Sequence, residues 1–498
     1  MLYLIAFFSS LLATASFPNL LEKGVNVHTA GIIFVAYVPV IWATLKAAKA
    51  KEKFILPYLS ASAFYVLSLY WLKNVAPMGP FAPVGWFILS FYLAIWFALP
   101  LWVSVYLYEK KGLEIYLSMP ALLTAGEYIR EWMFTGFPLL TPAQALHSSE
   151  FLDGAVKAAG SHGANFIIYA VNSWAALLLS GKKPDIRKTA VITSFSAALI
   201  LIAFCLAGYL KPKAESVEIK AAILQPNIDQ NVEWDRRYVD ETMLVFMNLI
   251  DEAKKSNPDV YVWPETGFPG IFSREMEAAK LIAARSGAVS IIGSDDIRRK
   301  NGEILYYNSA FSLDDKGYIE GSYSKYHLVP FGEYIPLAGV FPFVKKVVQR
   351  YGYSGFTRGT SLQPVKAGDY KAGIMICYDA LFPEIARAFA LKGASYLTHL
   401  SYETWYGNTP ASAQIFQNTA LRAKETGLPI VRTVASGISG FVDGYGKIRV
   451  CAGLFEKKAC VSTILPRDSA KKTLYVLLGD WFPLLLLCLC GFFMVWRK

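Results

Sequence analysis

KAGIMICYDALFPEIARAFALKG, residues 371–393, is the stretch on which the reading of this chain turns. Ala372 to Ile376 is an apolar run that reads as a strand, and Pro383 marks the first turn of a helix, where a missing N–H costs nothing. Cys377 stands at the junction. A thiol there can face the positive end of the helix dipole, which favours the thiolate. A lone cysteine in an apolar strand is also a common packing residue, so the surrounding domain has to discriminate. It supplies a carboxylate at the end of a second run, VYVWPE with Glu265, and a cation in a loop, SYSKYHLVPFGEYIP with Lys325. A thiol, a base and a cation are the parts of an acyl-transfer site.

Outward from Cys377, strands alternate with helices. Strand-like runs are Val217 to Leu224, Asp259 to Glu265, Val289 to Ser294, Asn308 to Leu313, Tyr318 to Tyr323, Tyr370 to Cys377, Tyr396 to Ser401, Ile430 to Val434, Gly440 to Val442 and Cys460 to Ile464. Helical stretches are Arg236 to Lys255, Arg274 to Ser286, Pro383 to Lys392 and Ser412 to Glu425. This alternation predicts a layered α/β domain over residues 211–472.

The flanks are different. Of 498 residues 54% are hydrophobic and 17% charged, and the apolar excess lies at the two ends. Eight spans are expected, at Leu2 to Ser16, His28 to Leu45, Phe54 to Leu72, Val84 to Tyr108, Leu113 to Met133, Gly163 to Leu179, Thr189 to Leu210 and Leu474 to Trp496. Seven thus fall in residues 1–210 and one in 473–498. Basic residues follow every second span, at Lys46 to Lys53, Lys110 and Lys111, Lys182 to Lys188, and Arg497 and Lys498. By the positive-inside rule both termini then face the cytoplasm and the α/β domain faces outward. The net charge of +11 is in part this orientation signal, and without a nucleic-acid motif it gives no reason to expect DNA or RNA. Ala13-Thr14-Ala15 before Ser16 also resembles a signal-peptidase site, so the first span is either retained or cleaved.

The order Glu265 in WPET, Lys325 in SKYHLVPFGEYIP and Cys377 in MICYD resembles the nitrilase superfamily with its Glu-Lys-Cys triad. Joined to spans on both sides, and to QPNIDQNVEW, YNSAF, EYIREWMFTGFP and LRAKETGLPIVRTVASGISGFVDGYGKI, it resembles the apolipoprotein N-acyltransferase family of that superfamily. The resemblance implies an αββα sandwich on a membrane platform in the bacterial inner membrane, facing the periplasm. It implies a phospholipid acyl donor, a diacylglyceryl-apolipoprotein acceptor and a monomer. Cys377 is then the nucleophile, Glu265 the general base and acid, and Lys325 the oxyanion cation, with Glu333 as supporting carboxylate. Asp379 stands where the family usually has Glu, Leu139 where it has Trp, and Ser401 to Gly407 departs from its Ser-Asn-Asp-Ala-Trp-Phe-Gly. Trp234, Tyr378, Asp379, Trp405 and Arg130 are expected to bind substrate or gate the pocket, with Arg130 paired to Glu127 at its mouth.

Between Glu333 and Arg358 apolar residues, Phe341 and Phe343 among them, interleave with Lys345, Lys346 and Arg350. The segment reads as an arm in the lipid interface or as packing on its own domain. Cys451 and Cys460, on the oxidising side, either form a cross-strand disulfide or stay free. The five histidines show no metal-ligand spacing, so neither metal nor cofactor is expected, and His327 reads as a loop-ordering residue. Two other readings remain: a membrane-tethered amidase using the same triad, and a transporter or receptor with an outer binding domain, against which stand the few ionisable residues within the spans.

Overall fold

The structure is a computed structural model that describes residues 1–111, 115–181, 218–228, 239–334, 355–467 and 471–495. The expected seventh span with Cys205 and the basic residues before it, Trp234, Phe341 and Phe343 with residues 335–354 of the arm, and Arg497 and Lys498 lie outside the described residues.

The N-terminal region is helical: α1 (Leu2–Ala15), α2 (Val38–Lys46), α3 (Ala50–Ser68), α4 (Ala82–Lys111), α5 (Ile115–Trp132), the short α6 (Pro142–Ala145) and α7 (Asp153–Ala159), and α8 (Ser161–Leu179). Among the described residues one helix, Gly79–Lys110, is long and apolar enough to cross a bilayer; Leu2–Ala15, Ala30–Lys46 and Trp481–Phe492 are apolar but shorter. The second expected span is not one helix, because a 3-10 turn at Ala30–Phe34 precedes α2.

Residues 219–464 form two six-stranded sheets. The first runs β12 (Lys458–Ile464), β1 (Ile219–Gln225), β2 (Val260–Val262), β3 (Val289–Lys300), β4 (Glu303–Leu313), β5 (Ile319–Ser324). The second runs β11 (Ile448–Ala452), β10 (Ser439–Val442), β9 (Ile430–Val434), β8 (Tyr396–Ser401), β7 (Tyr370–Ile376), β6 (Val365–Ala367). Each has three parallel strands at its centre, β1-β2-β3 and β7-β8-β9. Parallel strands are buried on both faces, and alternation sorts their side chains. Ala221, Ile223, Val262 and Ile291 join the core shared with the second sheet. Ala222, Leu224, Tyr261 and Trp263 pack instead with Phe246, Leu249 and Ile282 of α9 (Val239–Lys254) and α10 (Met276–Ser286). Helices α11 (Pro383–Leu391) and α12 (Ala411–Thr426) cover the other sheet, which completes the expected αββα layering.

Every residue of α12 is buried, because its outer face lies on the helical platform. Its amides cap platform carbonyls: Gln414 donates to Pro18 and Ser68, Gln417 to Val25, and Asn418 to Pro138 at 2.7 Å. Trp71 returns an indole N–H to Gln414 at 2.9 Å. The chain ends by rejoining the platform through α13 (Leu474–Leu478) and α14 (Trp481–Val495), where Trp481 donates to the Ala158 carbonyl at 2.9 Å. Cys451 and Cys460 form a disulfide, which links edge strands of opposite sheets rather than neighbours in one ladder.

Candidate active site

The site gathers at strand ends from both sheets, β2 and β7 at their centres and β5 at an edge. Glu265 follows β2, Lys325 follows β5 and Cys377 follows β7, so each side chain is held by a strand end that cannot move without the sheet. Glu265 is 5% exposed. Its Oε1 accepts from Asn308 Nδ2 at 2.7 Å and Lys325 Nζ at 3.2 Å, and its Oε2 accepts the backbone N–H of Tyr402 at 2.8 Å. Lys325, 1% exposed, also donates to Glu333 Oε1 at 2.7 Å. Glu333 Oε2 accepts the Val329 N–H at 2.8 Å, which folds the HLVPFGE loop back over the lysine. Glu333 and Glu265 therefore share one ammonium and one amide, since Asn308 Nδ2 also reaches Glu333 at 3.2 Å.

Burial first, and then Glu333, push Glu265 above the usual carboxylate range, while Lys325 and Asn308 oppose them. Burial works against the Lys325 ammonium, but Cys377, Glu265 and Glu333 outweigh it and hold the lysine charged. Burial also pushes the Cys377 thiol up, with Glu265, Glu333 and Glu403 adding to it and Lys325 opposing. This runs against the expectation of a dipole-stabilised thiolate: burial, with the nearby carboxylates adding to it, favours the neutral thiol.

Cys377 has φ +50°, a left-handed backbone uncommon for a residue with a Cβ. Two groups brace it. Asp379, wholly buried, accepts the Ile376 N–H at 3.1 Å, the Tyr323 hydroxyl at 2.9 Å and the His327 N–H at 2.7 Å. It ties the nucleophile turn to the lysine loop. That corrects its expected place among substrate-binding residues, for it has no solvent-facing surface. His327 stacks on Phe382 with ring centroids 3.7 Å apart and lies 3.3 Å from Glu384, a loop-ordering arrangement.

The second brace escaped the sequence. His399 lies 3.1 Å through Nε2 from the Cys377 carbonyl oxygen, and Arg432 Nη1 lies 2.8 Å from His399 Nδ1. Arginine only donates, so Nδ1 accepts and the proton sits on Nε2, pointing at Cys377. Arg432 is in turn held by Glu403 at 2.6 Å. The available signal was a charge inside the apolar strand IVRTV, since a buried arginine needs a partner.

Tyr378, next to Cys377, donates its hydroxyl to the Gly136 carbonyl at 2.6 Å, so the TGFP loop of the platform reaches the site. Trp405 is half-buried and packs edge-on against Tyr402 at 5.0 Å. Arg130, expected at a pocket mouth, has no solvent-facing surface. It is wholly buried in the helices, bonded to Glu127 and, at 2.7 Å, to the Tyr65 hydroxyl, and its charge is spent there. No group of metal-ligating side chains occurs among the described residues.

The profile of the carbon-nitrogen hydrolase family matches residues 220–470, and that of the apolipoprotein N-acyltransferase N-terminal domain matches residues 9–174. The chain is 29% identical over 472 residues to the apolipoprotein N-acyltransferase of Geobacter metallireducens, covering 91% of this chain and 88% of that protein. It is 30% identical over 424 residues to that of Allorhizobium ampelinum, covering 80% and 77%. Among solved structures, a carbon-nitrogen hydrolase from Helicobacter pylori aligns with a TM-score of 0.40 at 21% identity, over 57% of this chain and 100% of that one.

Proposed function

Because the chain belongs to the carbon-nitrogen hydrolase family, and within it to the apolipoprotein N-acyltransferases, we propose that its Glu265, Lys325 and Cys377 carry a two-step acyl transfer from a phospholipid to the α-amine of a diacylglyceryl-cysteine. The observation that carries this reading is the bond from Tyr378 to Gly136, which seats the nucleophile's neighbour on a loop of the helical platform. Beside that loop Trp132, Met133 and Phe134 are exposed. Apolar side chains displayed beside a thiol suit an acyl chain arriving from a bilayer.

In the first step the Cys377 sulfur attacks the ester carbonyl carbon and Glu265 takes the thiol proton. Lys325 spends two of its three N–H groups on Glu265 and Glu333; the third meets the oxyanion of the tetrahedral intermediate. The C–O bond breaks, and Glu265 returns the proton to the departing lysophospholipid oxygen. In the second step the free α-amine attacks the thioester carbonyl, Glu265 takes a proton from the nitrogen, and the C–S bond breaks with the proton passed to sulfur. Glu333 keeps Lys325 charged and in place through both.

The same reading places eight spans in the inner membrane, residues 211–472 on its periplasmic side, and the segment carrying Phe341 and Phe343 in the lipid interface. It rests on the alternation of Lys and Arg between apolar runs. The enzyme works without metal or cofactor and as a monomer.

Intact mass spectrometry of the detergent-purified protein with phospholipid, beside Cys377→Ala, tests the mechanism. An acyl mass on the wild type alone, discharged by a diacylglyceryl-cysteine peptide and slowly by water, is expected. An adduct discharged equally fast by water marks an amidase instead.

A further inference from the structure

Among the described residues, Oδ1 of Asn308 and Oδ1 of Asp295, both acceptors, are buried beside the triad without a hydrogen-bond partner. Asn308 is 3% exposed, and its Nδ2 serves Glu265 and Glu333. That fixes the amide plane and turns Oδ1 away from the two carboxylates. Asp295 on β3 is the residue directly opposite Asn308 on β4, with no register shift between them. Directly paired residues of an antiparallel ladder present their side chains on one face, with Cβ atoms about 5 Å apart. This is the inner face, since Ile291 and Ala310 on the same alternation belong to the core between the sheets. With Asp295 ionised, two buried acceptors would face each other without a donor, an arrangement native interiors avoid.

We propose that Asp295 is a positioning residue of this site, which as a carboxylic acid donates its O–H to Asn308 Oδ1 and so locks the amide that holds Glu265 and Glu333 together. One proton satisfies both orphaned oxygens. The titratable groups facing Asp295 are Glu265, from the turn after β2, and Glu333, from the loop after β5; Lys325 is spent on those two. Its chain neighbour Asp296 alternates to the other face, where it pairs with Arg298 at 2.6 Å. Burial first, then Glu265 and Glu333, push Asp295 up to about 7. The inference rests on the reading of Glu265 as the general base. Loss of the Asp295 proton removes the donor to Asn308 and adds a negative charge beside Glu265, which then holds its own proton and fails as a base.

The experiment is single-turnover acylation of Cys377 by phospholipid in the full-length detergent-solubilised protein, followed from about pH 5.5 to about 9. The acyl half-reaction is chosen because it excludes titration of the acceptor amine. Wild type should slow as pH rises through about 7. Asp295→Asn keeps a donor without a charge, so it should stay within about twofold of wild type near neutrality and lose the alkaline fall. Asp295→Ala should be slower by roughly tenfold at every pH. Infrared difference spectra should show a protonated-carboxyl band at pH 6 that Asp295→Asn lacks. Coincident profiles for wild type and Asp295→Asn, or an Asp295→Ala rate equal to wild type, overturn the proposal. Should wild type give no adduct at Cys377, the acyl-transfer reading fails, and the infrared band, which needs no turnover, still decides whether Asp295 carries the proton.

Discussion

His399 donates its Nε2–H to the carbonyl oxygen of Cys377 across 3.1 Å, from the strand that lies parallel beside the nucleophile's own. The bond holds Cys377 in a left-handed conformation, with φ +50°, at the position proposed as the nucleophile. His399→Phe should lower the rate of Cys377 acylation about tenfold with little change in KM, because a buried carbonyl loses its donor. His399→Gln, which restores an N–H donor, should recover most of it. Equal loss in both variants would point to packing rather than the hydrogen bond.

Burial, and then Arg432, hold His399 well below the ordinary imidazole range. The folded state keeps it neutral while the unfolded chain protonates below about 6.5, so its contribution to stability is present above that pH and lost as pH falls. Asp379 runs the other way. Burial first, against the His327 and Ile376 N–H groups, pushes it up to about 6. Its contribution is present below the ordinary Asp value of about 3.9 and lost as pH rises through about 6. Thermal melts between those limits should therefore show a shallower acid limb for His399→Gln and a steeper one for Asp379→Asn, compared with wild type.

Gly293 on β3 lies against the backbone that carries Glu265, and a Cβ there would meet the Pro264 carbonyl and come within 2.9 Å of Glu265 Cα. Nothing in that contact is flexible. Gly293→Ala should displace Glu265 and lower kcat by roughly 100-fold at near-normal phospholipid KM, since small misplacements of a catalytic group cost that much. A change confined to KM would show that Glu265 is not displaced.

How much of this was legible beforehand follows from burial. Strands β8 and β9 fall where the sequence places them, Tyr396–Ser401 and Ile430–Val434, because both are short runs rich in aliphatic, aromatic and β-branched residues. Strands β6 and β11 were missed: both are sheet edges, VKA is only three residues long, and IRVCA, although mostly apolar, is interrupted by an exposed Arg449. Glu265, Lys325 and Cys377 stood out in the sequence through WPET, SKYHLVPFGEYIP and MICYD, and the fold brings Glu265 and Lys325 within hydrogen-bond reach. His399, Arg432 and Asp295 did not stand out, because their roles arise from cross-strand register, His399 opposite Arg432 and Asp295 opposite Asn308. Arg130 was misplaced for a related reason, as sequence gives a charge within a helix but not the Tyr65 that receives it.

The link from Tyr378 to Gly136 separates the thiol's chemistry from delivery of the lipid. Gly136 has φ +72°, and a Cβ on it would strike the Glu131 carbonyl and come within 2.9 Å of Phe382 Cε1, so the loop fits against the turn after Cys377 only as glycine. Tyr378→Phe removes the hydroxyl while leaving the ring on Phe382, 5.0 Å away. It should reduce acylation by phospholipid about tenfold, the cost of one lost buried hydrogen bond and an unmoored loop. Alkylation of Cys377 by a small haloacetamide should stay within about twofold of wild type, since the triad does not touch the loop. Gly136→Ala should reproduce the lipid defect more severely. If both reagents slow equally in Tyr378→Phe, the tyrosine acts on the thiol itself and the platform loop plays no part in delivering the acyl chain.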